Sequence, residues 1–272
     1  MTNRNLLLTT LFSFCLTLTG CSATDENSAT AAERKAGDRM VVKIKDVEYA
    51  FRWCPPGKFM MGSPAGEANR QDVQDNQRQH EVTLSHGFWM LETEVTQSMW
   101  ESVMGNNPSR SKGAKLPVDT VSWNDCQGYI TKLNALLADT PGLKFSLPTE
   151  AQWEYACRAG TTTAYHFGNS LSAEQANFNS GGTKEVGSYP ANAWGLRDMH
   201  GNVWEWCQDW NGDYPSGAVI DPTGADMGSD RIIRGGSYFF PVEICRSASR
   251  SSHEPANGGP ALGFRLALVS DR

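Results

Sequence analysis

Apolar and polar positions alternate only over short stretches of this chain, which is the pattern of short β-strands. Five stretches share it and are predicted strands: Met40–Phe51, Lys58–Gly62, Glu81–Val95, Arg231–Arg234 and Gly263–Val269. Pro55-Pro56-Gly57 separates the first two, because proline and glycine favour turns over strands.

Helical spacing and helix start signals predict three short helices. The first covers Gln97–Met104, after Thr96 and before Gly105. The other two begin with a capping box, in which a hydroxyl residue is followed three residues later by an acid or amide: Ser122 with Asp125, and Thr149 with Gln152.

The middle of the chain, Gly160–Asp230, shows almost no periodicity and is rich in Gly, Asn, Pro and Trp. A loop region of that length in a compact domain is normally functional or tied down. A metal ion, a disulfide and buried tryptophan side chains are the candidates for holding this region in place. The fold predicted from these elements has few short helices, several short strands and a long irregular middle.

The N-terminus has the features of an export signal. Leu6–Leu18 is almost wholly apolar or hydroxyl-bearing, and it is too short for a typical transmembrane helix. Leu18-Thr19-Gly20-Cys21 resembles a bacterial lipoprotein signal, in which the cysteine is acylated; an ordinary signal peptide with a chance cysteine is the alternative. We therefore expect a lipoprotein signal peptide at 1–20, a flexible tether at 21–39 and one domain at 40–272. The expected location is the cell envelope, on its periplasmic or extracellular face, with lipid at Cys21 as the membrane contact.

Charge and cysteine content narrow the possibilities further. The chain of 272 residues has a net charge of −6 and a pI of about 5.4, so it lacks the basic footprint of a nucleic-acid-binding protein. It has seven cysteines, of which Cys15 and Cys21 precede the domain. The remaining odd number allows at most two disulfides, and the sequence alone leaves their pairing open.

Seven motifs in order resemble the sulfatase-modifying-factor (formylglycine-generating enzyme) family. They are Trp53–Ser63, Glu94-Val95-Thr96, Pro117–Trp123, Leu147–Ala156, Gly201–Trp206, Arg234–Ser237 and Gly263-Phe264-Arg265. The resemblance implies a single α+β domain of complex mixed fold with low regular secondary structure, related to the C-type lectin fold. It runs from about residue 50 to the C-terminus.

The segment around Asp198-Met199-His200-Gly201 has the composition of a calcium site. Two carboxylates flank a glycine-containing turn, and carboxylate and carbonyl oxygens are the ligands that Ca²⁺ prefers. The resemblance implies structural calcium at Asp198, Gly201, Val203 and Glu205, with main-chain oxygens from the middle two. A salt-bridged or capped turn is the alternative. The ligands of a second family calcium site, near Ala176-Asn177-Phe178, are not found.

The family's oxidases convert a sulfatase cysteine within Cys-x-Pro-x-Arg to formylglycine, using two cysteines that bind Cu(I). Soft thiolates suit Cu(I), and a linear site needs two. In this chain Phe240 stands at the first cysteine position and Cys245 at the second. Copper is therefore not expected, and the catalytic residues stay unassigned, with Ser237 and Cys245 as the candidate pocket.

The resemblance also implies a structural disulfide between Cys157 and Cys245. Such a bridge would close a long loop around the irregular middle and stabilise the fold by a few kcal/mol. A free, reactive Cys245 is the alternative.

Three functions are compatible with these features. The first is an exported family member without the two-cysteine oxidase site, acting in binding or protein maturation on an exported protein or peptide, for example a sulfatase. The second is a formylglycine-generating oxidase with altered ligands, and the third is another periplasmic maturation enzyme of the same fold. Whether the chain is an enzyme stays open, because catalysis depends on ligands and not on the fold.

Overall fold

A computed structural model of the chain describes residues 34–67, 78–137 and 143–269. The predicted signal peptide, Cys21 and the tether up to residue 33 lie outside the described residues. Residues 34–38 contact the domain: the Gly37 N–H donates to the Trp53 carbonyl at 2.9 Å, and the Arg34 guanidinium lies 4.9 Å from the Trp53 ring. The folded part therefore begins before residue 40.

The secondary structure consists of short elements. In chain order they are β1 (Arg39–Ile44), β2 (Val47–Cys54), β3 (Gly57–Met61), β4 (His80–Leu84), β5 (Phe88–Leu91), α1 (Gln97–Met104), α2 (Trp123–Leu136), β6 (Lys144–Ser146), α3 (Glu150–Arg158), β7 (Trp204–Trp210), β8 (Val219–Ile220), β9 (Arg231–Arg234), a 3₁₀ turn (Val242–Cys245), β10 (Arg250–His253), β11 (Leu262–Gly263) and β12 (Ala267–Val269). Mixed short strands and few helices confirm the predicted α+β fold class.

The strands form three small sheets. One has the order β1-β2-β5-β12-β6, the second β10-β9-β7-β11, and the third β3-β4-β8. β12 lies between β5 and β6, so the C-terminal end of the domain is joined to segments from its first half. The second sheet carries the candidate site.

The predicted helices are confirmed, because their signals are local. Thr96, Ser122 and Thr149 each cap a helix by accepting a hydrogen bond from the backbone N–H three residues later. Gly105 ends α1 in the left-handed conformation, with φ 78°, which glycine adopts without steric cost.

Two of the predicted strands are wrong in detail, and one strand was not predicted. Glu81–Val95 is not one strand but covers β4 (His80–Leu84) and β5 (Phe88–Leu91), which belong to different sheets. Met40–Phe51 is not one strand but most of a hairpin, in which β1 and β2 pair antiparallel around a turn at Lys45, φ 54°. The irregular middle contains β7, a strand of seven residues. The sequence does not predict β7, because Trp204–Cys207 is buried on both faces and so shows no alternation of apolar and polar residues.

Aromatic side chains fill the largest hydrophobic core. Trp100 stacks on Tyr129 with ring centroids 5.2 Å apart, and Phe264 contacts both rings edge-on. The hydroxyl groups of Tyr49 and Tyr129 lie 2.9 Å apart and satisfy each other. The largest fully buried side chains also include Arg234 and Arg265, so part of the interior is charged.

Asp209 is one of the buried acidic residues, and it lies beside the start of α3. Its Oδ2 accepts the Glu150 N–H at 2.9 Å, which satisfies one of the free donors at the helix N-terminus. Burial, and next the negative charge of Glu150, raise the pKa of Asp209 to about 7. The folded protein therefore favours a protonated Asp209, and this contribution to stability is lost as the pH rises from about 4 towards 7.

We expect Asp209→Asn to remove this loss of stability at rising pH. The amide oxygen can still accept the Glu150 N–H, and the side chain carries no charge. The melting temperature of the variant minus that of the wild type should increase between pH 4 and pH 8, the interval that spans the ordinary pKa and the raised one. Thermal unfolding followed by circular dichroism across this range measures it. A difference that does not change with pH would contradict the assignment.

Candidate functional site: an aromatic groove above a buried charge network

The sheet β10-β9-β7-β11 has two chemically different faces. Residues paired directly across strands share a face, so Glu205, Arg234 and Arg250 lie together on one side. By the same register Trp206, Ile233 and Ser251 share the opposite face, along with the pair Trp204 and Leu262. The first face is charged and mostly buried, and the second forms the floor of a groove; Arg250, on the edge strand, also reaches the groove lining.

The groove has a volume of about 460 Å³. Its apolar lining comes from Trp204, Ile233, Phe240, Ile244, Pro260 and Leu262, and its polar lining from Arg246, Ser249, Arg250, Ser251, Ser252 and His253. All of β10 lines it, and β10 is an edge strand of its sheet. Ligand sites of this size typically combine an apolar lining with a few polar groups.

Phe240 forms part of the floor where the family's oxidases carry a cysteine. Its ring meets Trp204 edge-on with centroids 5.7 Å apart, and the Phe239 ring also meets it edge-on at 5.7 Å. Phe239 is 72% exposed and Phe240 37%, so both rings face solvent at the mouth of the groove. Two exposed aromatic rings beside a concave surface are typical of a binding site.

Cys245 faces away from the groove. Its neighbours Ile244 and Arg246 line the groove, whereas its thiol is buried beside Ala164 and Tyr165. Burial raises the pKa of the Cys245 thiol to about 12, so the thiolate that would bind a soft metal is not formed near neutral pH.

Ser237 also lies outside the groove lining and is fully buried. Its hydroxyl accepts the Phe239 N–H at 3.4 Å, and its carbonyl accepts the Phe240 N–H at 3.1 Å. A phenyl ring, a buried thiol and a buried hydroxyl do not make a Cu(I) site, so the residues present do not fit copper.

The structure does not show the expected disulfide: Cys157 and Cys245 are both buried and free. The His200 ring contacts both residues, with Nε2 4.0 Å from the Cys157 Sγ and Nδ1 2.7 Å from the Cys245 carbonyl oxygen. The imidazole holds the Cys245 main chain, and the thiols pack in separate clusters, Cys157 beside Trp153 and Cys245 beside Tyr165.

A network of buried ion pairs positions the groove wall. Arg234 pairs with Glu154 and donates from Nη1 to the Ala248 and Ser249 carbonyls, at 3.1 and 2.5 Å, and from Nη2 to the Ser247 carbonyl at 2.9 Å. Glu154 Oε1 also accepts the Arg158 Nε–H at 2.9 Å. One guanidinium therefore fixes the loop that leads into β10.

Two further ion pairs hold the ends of this wall. Arg250 binds Glu150 through Nε at 2.9 Å and Nη2 at 2.8 Å, a bidentate geometry. Arg246 pairs with Glu67 at 2.5 Å and donates to the Ser63 hydroxyl at 3.0 Å. Sequence reasoning did not assign these residues, since each pair joins segments far apart in the chain.

Three of the four predicted calcium positions, Asp198, Gly201 and Val203, lie in one tight turn, and the fourth, Glu205, lies in the strand β7 that follows it. Asp198, Gly201 and Asn202 have positive φ angles of 58°, 80° and 58°. A Cβ atom at position 201 would lie 2.2 Å from the Asn177 carbonyl oxygen, so only glycine fits there. Asp198 Oδ2 accepts the Gly187 N–H at 2.6 Å, whereas its buried Oδ1 has no partner.

Glu205, in contrast, is already paired. The Arg265 guanidinium binds it through Nε and Nη2, both at 2.6 Å, and the Trp153 Nε1–H donates to it at 2.7 Å. The salt-bridge alternative thus describes Glu205, while Asp198 keeps an oxygen free for a cation. Within the described residues no group of three His, Cys, Asp or Glu side chains could hold a metal ion. The site implied by the resemblance is of another kind, because it uses two main-chain oxygens beside two carboxylates. The turn fits calcium at its Asp198 end.

Comparison with known proteins identifies the family. The family model described as "Sulfatase-modifying factor enzyme 1-like domain" matches residues 45–269. The chain belongs to the sulfatase-modifying factor family. The formylglycine-generating enzyme of Streptomyces coelicolor is 36% identical over 202 residues, which are 63% of this chain and 61% of that protein. Serine/threonine-protein kinase pkn1 of Chlamydia caviae is 38% identical over 242 residues, 78% of this chain and 36% of that one.

Solved structures support the same fold for this sulfatase-modifying factor domain. Treponema denticola variable protein 1 aligns with a TM-score of 0.77 and 28% identity, covering 85% of this chain and 99% of that one. PvdO from Pseudomonas aeruginosa aligns with a TM-score of 0.73 and 28% identity, covering 87% and 100%. The chain spans less than two thirds of the curated relatives it matches.

We expect Cys245 to resist alkylation in the native protein. Its thiol is buried and its pKa is raised to about 12, so N-ethylmaleimide should modify it at least about a hundredfold more slowly than in urea. Peptide mapping by mass spectrometry measures both rates. Phe240→Cys is the matched control, because position 240 is exposed and its thiol should be modified without urea. Rapid native labelling of Cys245 would show that the thiol is open to the groove.

Proposed function

We propose that this protein is an exported sulfatase-modifying-factor domain without the two-cysteine copper site, which uses the groove to bind an exported protein or peptide during protein maturation at the cell envelope. The observation that carries this proposal is the Phe240 ring packed on Trp204, at the position of a metal-binding cysteine, with Cys245 turned away from the groove. With these residues the site offers contact area and not a reactive thiolate pair.

The chemistry of the groove suits an extended peptide. Its aromatic floor can bury an apolar side chain, because Trp204 and Phe240 offer large rigid surfaces with little entropy to lose. The edge strand β10 presents main-chain groups and the hydroxyls of Ser251 and Ser252 beside that floor. Strand edges next to side-chain pockets are a recurring means of binding extended peptides.

The alternatives are that the domain is a formylglycine-generating oxidase or another periplasmic maturation enzyme of this fold. The first is supported by the 36% identity to a formylglycine-generating enzyme, and the second by the predicted export signal. Both need catalytic ligands other than a thiolate pair at positions 240 and 245, so we rank them below the binding proposal.

Incubation with a peptide that contains Cys-x-Pro-x-Arg tests the proposal. With Cu(I), a thiol reductant and oxygen, the full-length chain should leave the cysteine unchanged in mass spectrometry, because the thiolate pair is absent. The same peptide, labelled with a fluorophore, should bind in anisotropy measurements. Phe240→Ala should weaken binding by about tenfold or more, as expected when a central aromatic contact of a small interface is truncated.

A matched control is Phe239→Ala, which removes the more exposed of the two rings and should weaken binding less. Conversion of the cysteine to formylglycine by the wild type would replace the binding proposal with the oxidase alternative. Equal binding by the wild type and Phe240→Ala would show that the peptide does not use the groove.

We also propose that lipid at Cys21 attaches the protein to a membrane. The apolar stretch before Cys21 supports this. Cys21→Ser should therefore move the protein from the membrane fraction to the soluble fraction of its host cells, as measured by immunoblotting. A variant that stays with the membrane would contradict lipid anchoring at this residue.

A structural calcium ion at the turn from Asp198 to Val203 completes the proposal. The unpartnered, buried Asp198 Oδ1 supports it. Bound there, calcium would fix the turn that leads into β7 and hence the floor of the groove. Calcium titration of the chain after treatment with EDTA measures this binding directly.

A further inference from the structure

A second cavity, of about 500 Å³, lies beside the N-terminus of helix α3. It shares only Arg250 with the lining of the groove. Asp209 lines it and follows Glu205 by four positions on β7, so it borders the charged face of the sheet, opposite the groove floor. A cavity of this volume is large enough for a small organic ligand.

Asp209 offers this cavity a buried acceptor that the fold does not use. The residue is 3% exposed, its Oδ2 accepts the Glu150 N–H, and no donor in the described part of the chain bonds its Oδ1. Oδ1 points towards Gly224, which also lines the cavity: a Cβ atom at position 224 would lie 3.2 Å from it. Because glycine has no side chain, Gly224 leaves the space next to Oδ1 open.

His80 offers a second acceptor. It lines the same cavity and is 6% exposed, and its Nδ1 lies 3.2 Å from the Arg78 carbonyl oxygen. A carbonyl can only accept, so Nδ1 carries the proton, and Nε2 of the neutral ring is an acceptor. The ring packs on Tyr214 with centroids 4.7 Å apart, which fixes its position. Two acceptors on buried side chains favour a ligand that donates hydrogen bonds.

The carboxylates of the lining determine the charge of that ligand. Arg250 neutralises Glu150 by binding it through Nε and Nη2, at 2.9 and 2.8 Å. Asp221 accepts the Ser85 N–H at 2.8 Å and also the Ser85 hydroxyl. Asp209, in contrast, receives only one main-chain N–H among the described residues. A cationic donor suits Asp209 best, since hydrogen bonds between opposite charges are the stronger kind.

We propose that this cavity binds the ammonium group of an alkylamine, with Asp209 Oδ1 as its charged acceptor and His80 Nε2 as its neutral one. The exposed Asp213 adds negative charge to the lining. Apolar lining residues would contact the alkyl chain: Met61, Ala151, Val219 and Pro222. Free amines and lysine side chains of peptides share this chemistry. The site is separate from the groove, so it does not depend on the proposed peptide binding there.

NMR titration of the full-length chain, purified in detergent, tests the assignment with pentylamine as the probe. Burial, and next the charge of Glu150, raise the Asp209 pKa to about 7 although Arg250 and Arg231 oppose them, so the titration is made at about pH 8, where Asp209 is ionised. Asp209→Asn should weaken pentylamine binding by at least about tenfold, because it removes the charge and keeps the oxygen that accepts the Glu150 N–H.

Asp226→Asn is the matched control. It removes the same charge from an exposed residue that follows the lining residue Ala225 and does not itself line the cavity. Its affinity for pentylamine should equal that of the wild type. Circular dichroism of both variants shows that they are folded. Equal binding by the wild type and Asp209→Asn would overturn the proposal.

A neutral probe separates recognition of charge from filling of an apolar space. Pentan-1-ol has the same chain length and an uncharged donor, so the wild type should bind it at least about tenfold more weakly than pentylamine, and Asp209→Asn should lose this preference. A wild type that binds both probes equally, or neither, would contradict an ammonium site.

The amide of N-acetyl-lysine distinguishes the two sources of the ammonium group. Binding of this probe, with the same dependence on Asp209, would assign the cavity to lysine side chains of peptides. Binding of pentylamine alone would assign it to free amines. Both results support the ammonium site, and neither bears on the groove, which Phe240→Ala tests.

Discussion

The ion pair between Arg234 and Glu154 is the interaction on which the rest of the site depends. Both side chains are fully buried, and the same guanidinium holds three consecutive carbonyls of residues 247–249. Removing one partner of such a pair costs about 3–5 kcal/mol, because the other charge stays buried and unpaired. The loop that carries the groove wall is therefore held to helix α3 through this guanidinium, which binds both.

The two faces of the sheet β10-β9-β7-β11 explain how the fold can persist while the chemistry of the site changes. Arg234 and Glu205 lie on the buried face, whereas Trp204 and Ile233 lie on the groove face. The Phe240 ring packs on Trp204 at the groove face and is not one of the partners of the buried ion pairs. Family membership and the absence of the thiolate pair are thus compatible, since the fold and the reactive ligands depend on different residues.

Local signals in the sequence were sufficient for the helices but not for the partners of the charged residues. The capping boxes at Ser122 and Thr149 need only residues three positions apart, and both are present in the structure. Glu154 and Arg234 are 80 residues apart, and Glu205 and Arg265 are 60 apart. Four of the seven motifs that carry the family resemblance each contain one member of these two ion pairs, and periodicity holds no information about such pairing.

The turn from Asp198 to Val203 is a second case in which the sequence alone does not identify the partner of a carboxylate. The sequence offered calcium or a salt bridge as alternatives for Asp198 and Glu205, because both acids flank one glycine turn. The structure separates them: Glu205 lies on the strand beside Arg265, and Asp198 lies in the turn with an open oxygen. Arg265 follows β11 and reaches the Glu205 carboxylate on β7, whereas Asp198 Oδ2 is bound by the Gly187 N–H. The two acids are seven positions apart in the sequence and differ in environment only once the chain is folded, so their spacing could not tell them apart.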